Sequence, residues 1–222
     1  MLTKFFLYGS LFMGAVPLGM ALYHYAFLSN QHKWAAAKIV FHLANVCLSV
    51  FVRFGGSNFF LRYILCFGLA ITINFIFVPY FTNPKLRNAF YASTGLYLLL
   101  LLTDAFVLRG TSDYQNFSFT LFDCWALTII ILYLGQLLRN TRVRRLRNEP
   151  MFWIAIGIGT TYFAGLTHSL LSSSSLVVNV KLFFLTHNLS LMGNIAGTIL
   201  QTIGFWKCRN TSTANETLFR DF

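Results

Sequence analysis

The feature that most constrains this chain is a series of apolar runs, each close to the length that crosses a bilayer. A membrane-spanning helix needs about 20 predominantly apolar residues, and runs of this kind recur along the whole sequence. Transmembrane β-strands alternate apolar and polar residues, whereas these runs are apolar on most faces, so we predict an all-α bundle of transmembrane helices. The seven predicted spans are Phe5–Phe27, Ala36–Val52, Asn58–Tyr80, Arg87–Val107, Phe117–Leu138, Met151–Leu171 and Val178–Trp206.

The composition agrees with a membrane location. Charged residues make up 10% of the chain and hydrophobic residues 56%, whereas a soluble domain carries about 25% charge. Too few polar side chains remain to cover a surface in water. No connecting segment is long enough to contain a soluble domain. We therefore expect one seven-helix transmembrane domain over residues 1–206 and a short tail over residues 207–222.

A basic segment between the fifth and sixth spans predicts the orientation of the bundle. Lys and Arg accumulate in cytoplasmic loops, and an odd number of spans puts the two termini on opposite sides. With this segment in the cytoplasm, twelve of the 17 basic residues lie on that side, so we expect the N-terminus outside and the C-terminus inside. The arginines of this segment are Arg139, Arg142, Arg144, Arg145 and Arg147. The other basic residues assigned to the cytoplasm are Lys33, Lys38, Lys85, Arg87, Lys207, Arg209 and Arg220.

The net charge of +11 raises the question of what the basic residues face. Proteins that bind nucleic acids concentrate charge on a folded basic surface, whereas here it lies in short loops between apolar spans, so we expect no nucleic-acid partner. Arginines beside a membrane are attracted to anionic lipid by about 1 kcal/mol each. We interpret the arginine segment as a topology anchor on anionic lipid, and alternatively as a docking surface for a cytoplasmic signalling partner.

Two stripes of small residues indicate where helices approach closely. Gly193 and Gly197 form a GxxxG pattern in the seventh span, and Gly157, Thr161 and Gly165 form a similar stripe in the sixth. Such stripes permit close contact between membrane helices. We expect them to pack helices within one bundle, and alternatively to join copies in a homo-oligomer.

Polar residues from five spans fall in the predicted outer half of the membrane. At 1.5 Å per residue, Arg62 lies about 6 Å below the outer end of its helix, Asp123 about 9 Å and His187 about 13 Å. Asp104 and His168 lie near the outer ends of the fourth and sixth spans, and Asn188 follows His187. Charged side chains inside a membrane are costly, rare and often functional, so this common depth predicts a shared polar pocket.

Three interpretations of this polar set remain open. Arg62, Asp104, Asp123, His168, His187 and Asn188 form the predicted ligand-binding pocket. Asp104, Asp123, His168 and His187 have the ligand types for a divalent metal such as zinc, although no local metal motif is present. Alternatively, Arg62 neutralises Asp104 or Asp123 in a structural ion pair.

The second half of the chain resembles a group of small seven-helix bacterial membrane proteins, similar to the membrane sensor modules found ahead of histidine kinases. The resemblance is carried by the basic loop, by Pro150 with Phe152 and Trp153, by Tyr162, and by the segment Gly204–Phe205–Trp206. It implies a sensory module in the bacterial cytoplasmic membrane. The segment after Trp206 is too short for a kinase domain, so a signal would have to leave through a separate partner.

The leading functional hypothesis is a receptor-like module that binds a small ligand in an outward-facing polar pocket and signals to a cytoplasmic partner. An enzyme is the alternative: a membrane-embedded metal hydrolase of a lipid-like substrate, with a metal-bound water as nucleophile. A third possibility is an oligomeric pore or effector. The sequence leaves open whether the chain is an enzyme and favours binding.

Overall fold

The computed structural model describes residues 2–53, 59–108, 116–139, 146–173 and 180–220. These residues form α-helices and contain no strand, which confirms the all-α prediction for the part of the chain described. The α-helices are α1 (Leu2–Tyr23), α2 (Asn30–Arg53), α3 (Phe59–Phe77), α4 (Pro84–Thr103), α5 (Asn116–Arg139), α6 (Pro150–Ser173) and α7 (Val180–Arg220).

Local sequence explains several of the helix ends. Pro84 and Pro150 stand at the first position of α4 and α6, where a missing N–H costs no hydrogen bond and the fixed φ suits a helix. Asn83 caps α4, because its side-chain oxygen accepts a hydrogen bond of 2.9 Å from the backbone N–H of Lys85. The other end of α4 continues into a π-helical segment, Asp104–Leu108.

Two helix boundaries differ from those expected of the sequence. Helix α2 begins at Asn30 rather than at Ala36, because the polar residues ahead of the apolar run are themselves helical. Helix α7 continues to Arg220, so the predicted tail is helical over residues 207–220.

Six of the seven helices form a closed ring. Helix α1 contacts α2 and α7, α2 contacts α3, α5 contacts α6, and α6 contacts α7. Helix α3 contacts α5 and so completes the ring, and α4 packs outside it against α3 and α5.

The closest packing in the ring is between α6 and α7, where small residues face each other. A methyl group added at Gly157 would lie 2.5 Å from the carbonyl oxygen of Gly197, which is closer than a carbon atom can approach. Gly193 packs in the same way against Ala164. Both stripes of small residues thus pack helices within the bundle.

Four helices are long and apolar enough to cross a membrane among the residues described. The apolar segments are Tyr63–Tyr80, Pro84–Val107, Ser118–Arg139 and Pro150–Leu171, and α1 has a shorter one at Phe12–Tyr23. These segments support the prediction of a membrane protein. The number of seven spans and the orientation stay predictions.

Candidate functional site

The interior of the ring contains a cavity of about 200 Å³. It is lined by side chains from α2, α3, α5, α6 and α7, and its lining combines polar groups with aromatic rings. The lining residues are His42, Asn45, Val46, Leu69, Phe119, Phe122, Asp123, Thr161, Tyr162, Gly165, His168, Ser169, Ser190 and Asn194. A concave pocket in which apolar and aromatic side chains surround convergent polar groups is typical of a small-molecule site.

Asp123 is the acidic group of this cavity. The side chain is 8% exposed and projects from α5 toward α6. A methyl group added at Gly165 would lie 3.0 Å from Asp123 Oδ2, so the absence of a side chain at Gly165 makes room for the carboxylate. The α5–α6 contact is thus shaped around a buried acid.

Lys38 is a buried basic residue of the same interior. The sequence-based prediction placed it near the start of the span Ala36–Val52 and counted it on the cytoplasmic side, but it lies two turns into α2 and is 1% exposed. Its ammonium lies 5.2 Å from the centre of the Tyr162 ring, a cation–π contact, and its charge interacts with that of Asp123. The basic residues assigned to the cytoplasmic side thus fall from twelve to eleven, so the excess of positive charge there persists.

Tyr162 connects the lysine to the cavity. It is 5% exposed and also packs edge-on against Phe122, with ring centres 5.3 Å apart. Its hydroxyl is buried and makes no hydrogen bond with any described residue. A buried hydroxyl without a partner costs about 1–3 kcal/mol.

The two predicted histidines lie next to each other, and one of them lines the cavity. His168 lines it, and its ring centre lies 5.2 Å from that of His187 across the α6–α7 contact. The Nδ1 atom of His168 also lies 3.4 Å from the Thr186 hydroxyl. His187 and its neighbour Asn188 are not among the lining residues. The buried side-chain oxygen of Asn188 makes no hydrogen bond with the residues described.

Asp104 belongs to a separate polar cluster. It is buried where α4 passes into its π-helical segment. Its carboxylate accepts hydrogen bonds from the hydroxyl of Tyr63 at 3.3 Å and from the hydroxyl of Ser118. It does not line the cavity, so the structure does not bring Asp104 together with Asp123.

The structure does not gather the four predicted metal ligands into one group. Within the described part of the chain, no three His, Cys, Asp or Glu residues are grouped so that they could hold a metal ion. Asp123 and His168 share the cavity, His187 contacts His168, and Asp104 lies apart. The residues present therefore do not fit a zinc centre of four protein ligands.

The remaining predicted residues lie at the limits of the described structure. The side chain of Arg62 and residues 140–145, which include Arg142, Arg144 and Arg145, are outside the part described. Arg139 is exposed at the end of α5, and Arg147 falls in a short 3-10 helix before α6. The ion pair expected between Arg62 and an aspartate stays a prediction.

Lys38 and Tyr162 are among the residues of this interior that sequence reasoning missed. The available signal was a lysine inside the predicted span Ala36–Val52, because buried lysines require a partner. Its place near the start of that span concealed it. Tyr162 had been noted only as part of the resemblance.

Comparisons of this chain with protein-family models, with curated proteins and with solved structures gave no match. The resemblance to membrane sensor modules therefore stays a hypothesis.

Proposed function

We propose that this chain is a receptor-like membrane protein that binds a small ligand in the cavity of its helix ring. One observation carries the proposal: five helices line the cavity, and the buried carboxylate of Asp123 lies in it together with other polar side chains. A buried carboxylate is costly in an apolar interior. A bound ligand that accepts or donates hydrogen bonds there offsets this cost.

The proposed orientation makes the cavity face outward. Asp123 lies about 10 Å from the start of α5 and Ser190 about 15 Å from the start of α7, while His168 lies about 8 Å from the end of α6. These helix ends all belong to the side that the basic residues assign to the exterior. Seven spans, with the N-terminus outside and the C-terminus in the cytoplasm, complete the proposed topology.

Helix α5 offers a route for the signal. It carries Asp123 near one end, and its other end is Arg139, where the arginine segment begins. A ligand that changes the position of α5 therefore changes the placement of this segment. We propose that Arg139, Arg142, Arg144, Arg145 and Arg147 contact anionic lipid and a cytoplasmic signalling partner.

The binding proposal is tested by thermal unfolding of the purified protein in nanodiscs against a library of small soluble metabolites. The cavity is blocked with Ser190→Phe, and the matched control is Thr128→Phe, since Thr128 is exposed on α5 and bonds to its own helix. We expect a compound that raises the melting temperature of the wild type and of Thr128→Phe but not of Ser190→Phe. A compound that shifts all three proteins equally would place binding outside the cavity. No stabilising compound at all would leave the proposed function without support.

The topology is tested by fusions after Phe222. Green fluorescent protein folds in the cytoplasm and alkaline phosphatase is active only outside it, so we expect a fluorescent fusion and an inactive phosphatase. An active phosphatase would reverse the orientation, and the cavity would then open to the cytoplasm.

A further inference from the structure

We propose that the ligand of this cavity is a small, neutral, polyhydroxylated ring, which is the chemistry of a monosaccharide or a cyclic polyol. The inference rests on the proposed function, because it names the chemical class of the ligand for the same cavity. It is carried by the hydrogen-bonding groups, the single acid and the aromatic rings that the lining brings together.

The cavity is rich in neutral side chains that form hydrogen bonds. They come from α2, α6 and α7, so they approach the cavity from several sides. Among them are Asn45, Thr161, Ser169, Ser190 and Asn194. Amide and hydroxyl groups of this kind both donate and accept hydrogen bonds. A ligand that meets groups on several helices at once must carry several such groups of its own, as a polyhydroxylated ring does.

Asp123 fits the same ligand. Among the described residues that line the cavity, it is the only one with a formal charge when the histidines are neutral. An ionised carboxylate accepts hydrogen bonds and donates none, and its bonds from hydroxyl groups are short and strong. Two neighbouring hydroxyls of a ring can donate to its two oxygens. An anionic ligand would be repelled, and a small cation would leave the amides and hydroxyls of the other helices unused.

The aromatic rings of the cavity supply the remaining contact. Phe119, Phe122 and Tyr162 line it together with Asp123, and the rings of Phe122 and Tyr162 are almost perpendicular, at 89°. The face of an aromatic ring carries partial negative charge and attracts weakly polarised C–H groups. A polyhydroxylated ring has C–H groups on its faces and hydroxyls around its edge, so it can contact aromatic and polar side chains at the same time.

The size of the cavity limits the ligand to one ring. Its volume of about 200 Å³ has room for several water molecules. A single six-membered ring with its hydroxyls is comparable in volume, whereas a disaccharide is too large. In the proposed orientation the cavity faces outward, so a polar solute that does not cross the bilayer reaches it from the external water.

The experiment is isothermal titration calorimetry of the full chain in nanodiscs. The polyhydroxylated probes are D-glucose, D-galactose, D-mannose, D-xylose and myo-inositol. Cyclohexanol is the matched control, because it keeps a six-membered ring and has a single hydroxyl. Tetramethylammonium represents a small cation. Binding of an aldose identifies a monosaccharide site, and binding of myo-inositol alone identifies a site for a cyclic polyol.

We expect at least one polyhydroxylated probe to bind with a Kd below about 1 mM and at least tenfold more tightly than cyclohexanol and tetramethylammonium. Ser190→Phe, which fills the cavity, should bind none of the probes. Asn194→Leu should weaken binding at least tenfold. Its matched control is Gln201→Leu, since Gln201 is buried on the same helix, bonds to the Gly197 carbonyl and does not line the cavity. This control should bind within about twofold of the wild type. If a variant fails to fold, the wild-type comparison of the three probe classes decides.

Four results would overturn the inference. They are equal or tighter binding of cyclohexanol, tighter binding of tetramethylammonium than of every polyhydroxylated probe, polyhydroxylated probes that bind Ser190→Phe as well as the wild type, and no binding of any polyhydroxylated probe. If another class of compound binds in the cavity, the proposed function survives and only the ligand class is wrong. If no compound of any class binds there, the cavity holds water only and both proposals fail.

Discussion

The ammonium of Lys38 lies 5.2 Å from the centre of the Tyr162 ring, although the two residues belong to helices that sit on opposite sides of the ring of helices. This contact, together with the charge interaction between Lys38 and Asp123, joins α2, α5 and α6 in the interior. The site is thus formed only when the ring closes. We therefore expect a substitution of Lys38 or Asp123 to affect the packing of all three helices.

The first prediction concerns the energetic coupling of this pair. Removing one member of a buried charge pair typically costs 3–5 kcal/mol, because the other charge is left uncompensated. We expect Lys38→Met and Asp123→Asn each to lower the free energy of unfolding by about that amount, and the double variant to lose much less than the sum. Urea or thermal unfolding in mixed micelles measures this cycle. Additive effects would mean that the two charges do not interact.

The second prediction concerns the contact between α6 and α7. Because a methyl group at Gly197 would lie 2.5 Å from the Gly157 carbonyl oxygen, Gly197→Ala forces the two backbones apart. We expect a loss of about 1–3 kcal/mol in the free energy of unfolding. The matched control is Gly135→Ala, since nothing lies within 4 Å of the added carbon there, and it should be neutral or slightly stabilising. Equal effects of the two substitutions would show that α6 and α7 are not in close contact.

The third prediction separates Asp104 from Asp123. Asp104 accepts hydrogen bonds from Tyr63 and Ser118 and does not line the cavity. Asp104→Ala should therefore destabilise the protein by about 1–3 kcal/mol while ligand affinity stays within about twofold. Asp123→Asn should lower the affinity at least tenfold. A loss of binding in folded Asp104→Ala would place Asp104 in the ligand site after all.

The fourth prediction concerns pH and His32, which lies in the first turn of α2, ahead of the apolar part of that helix. Its Nδ1 atom lies 2.6 Å from the Ser29 hydroxyl, and its Nε2 atom is buried without a hydrogen-bond partner among the residues described. Burial lowers the pKa of His32 to about 4 from an ordinary value of 6.5. His32 therefore binds a proton less readily in the folded protein than in the unfolded chain.

This difference in pKa determines how the stability of the protein changes with pH. Above pH 6.5 the histidine is neutral in both states and stability is unaffected; between pH 6.5 and 4 the unfolded chain binds more protons, so stability falls as the pH is lowered. We expect a loss of about 2 kcal/mol between pH 7.5 and pH 5. His32→Gln should remove this part of the pH dependence in thermal unfolding. An unchanged profile in that variant would show that His32 is solvated in the folded protein.

Hydropathy was enough to predict the helices, because an apolar run of bilayer length has few other ways to satisfy its backbone. It did not predict which way each helix faces. These helices are apolar on most sides, so no polar face indicates the rotation of a helix about its own axis. The depth of a residue was therefore predictable and its direction was not.

Asp104 and Asp123 illustrate the difference. Both were assigned to the outer half of the bundle, yet Asp123 lines the interior cavity and Asp104 bonds to Tyr63 and Ser118 elsewhere. For Lys38 the predicted depth itself was wrong. The start of the second helix was predicted at Ala36, six residues too late, which put Lys38 close to a loop. Its charge was therefore counted among the basic residues that predict the orientation of the bundle, although the side chain is buried near Asp123.

An experimental structure of the protein in nanodiscs, at a resolution that resolves side chains, tests the ligand cavity most directly. We expect the Lys38 ammonium over the Tyr162 ring, the Asp123 carboxylate beside Gly165, and an open cavity bounded by α2, α3, α5, α6 and α7. A structure in which Lys38 reaches solvent or lipid headgroups, or in which Asp123 is packed with no cavity beside it, would show that the ring of helices does not hold a ligand site.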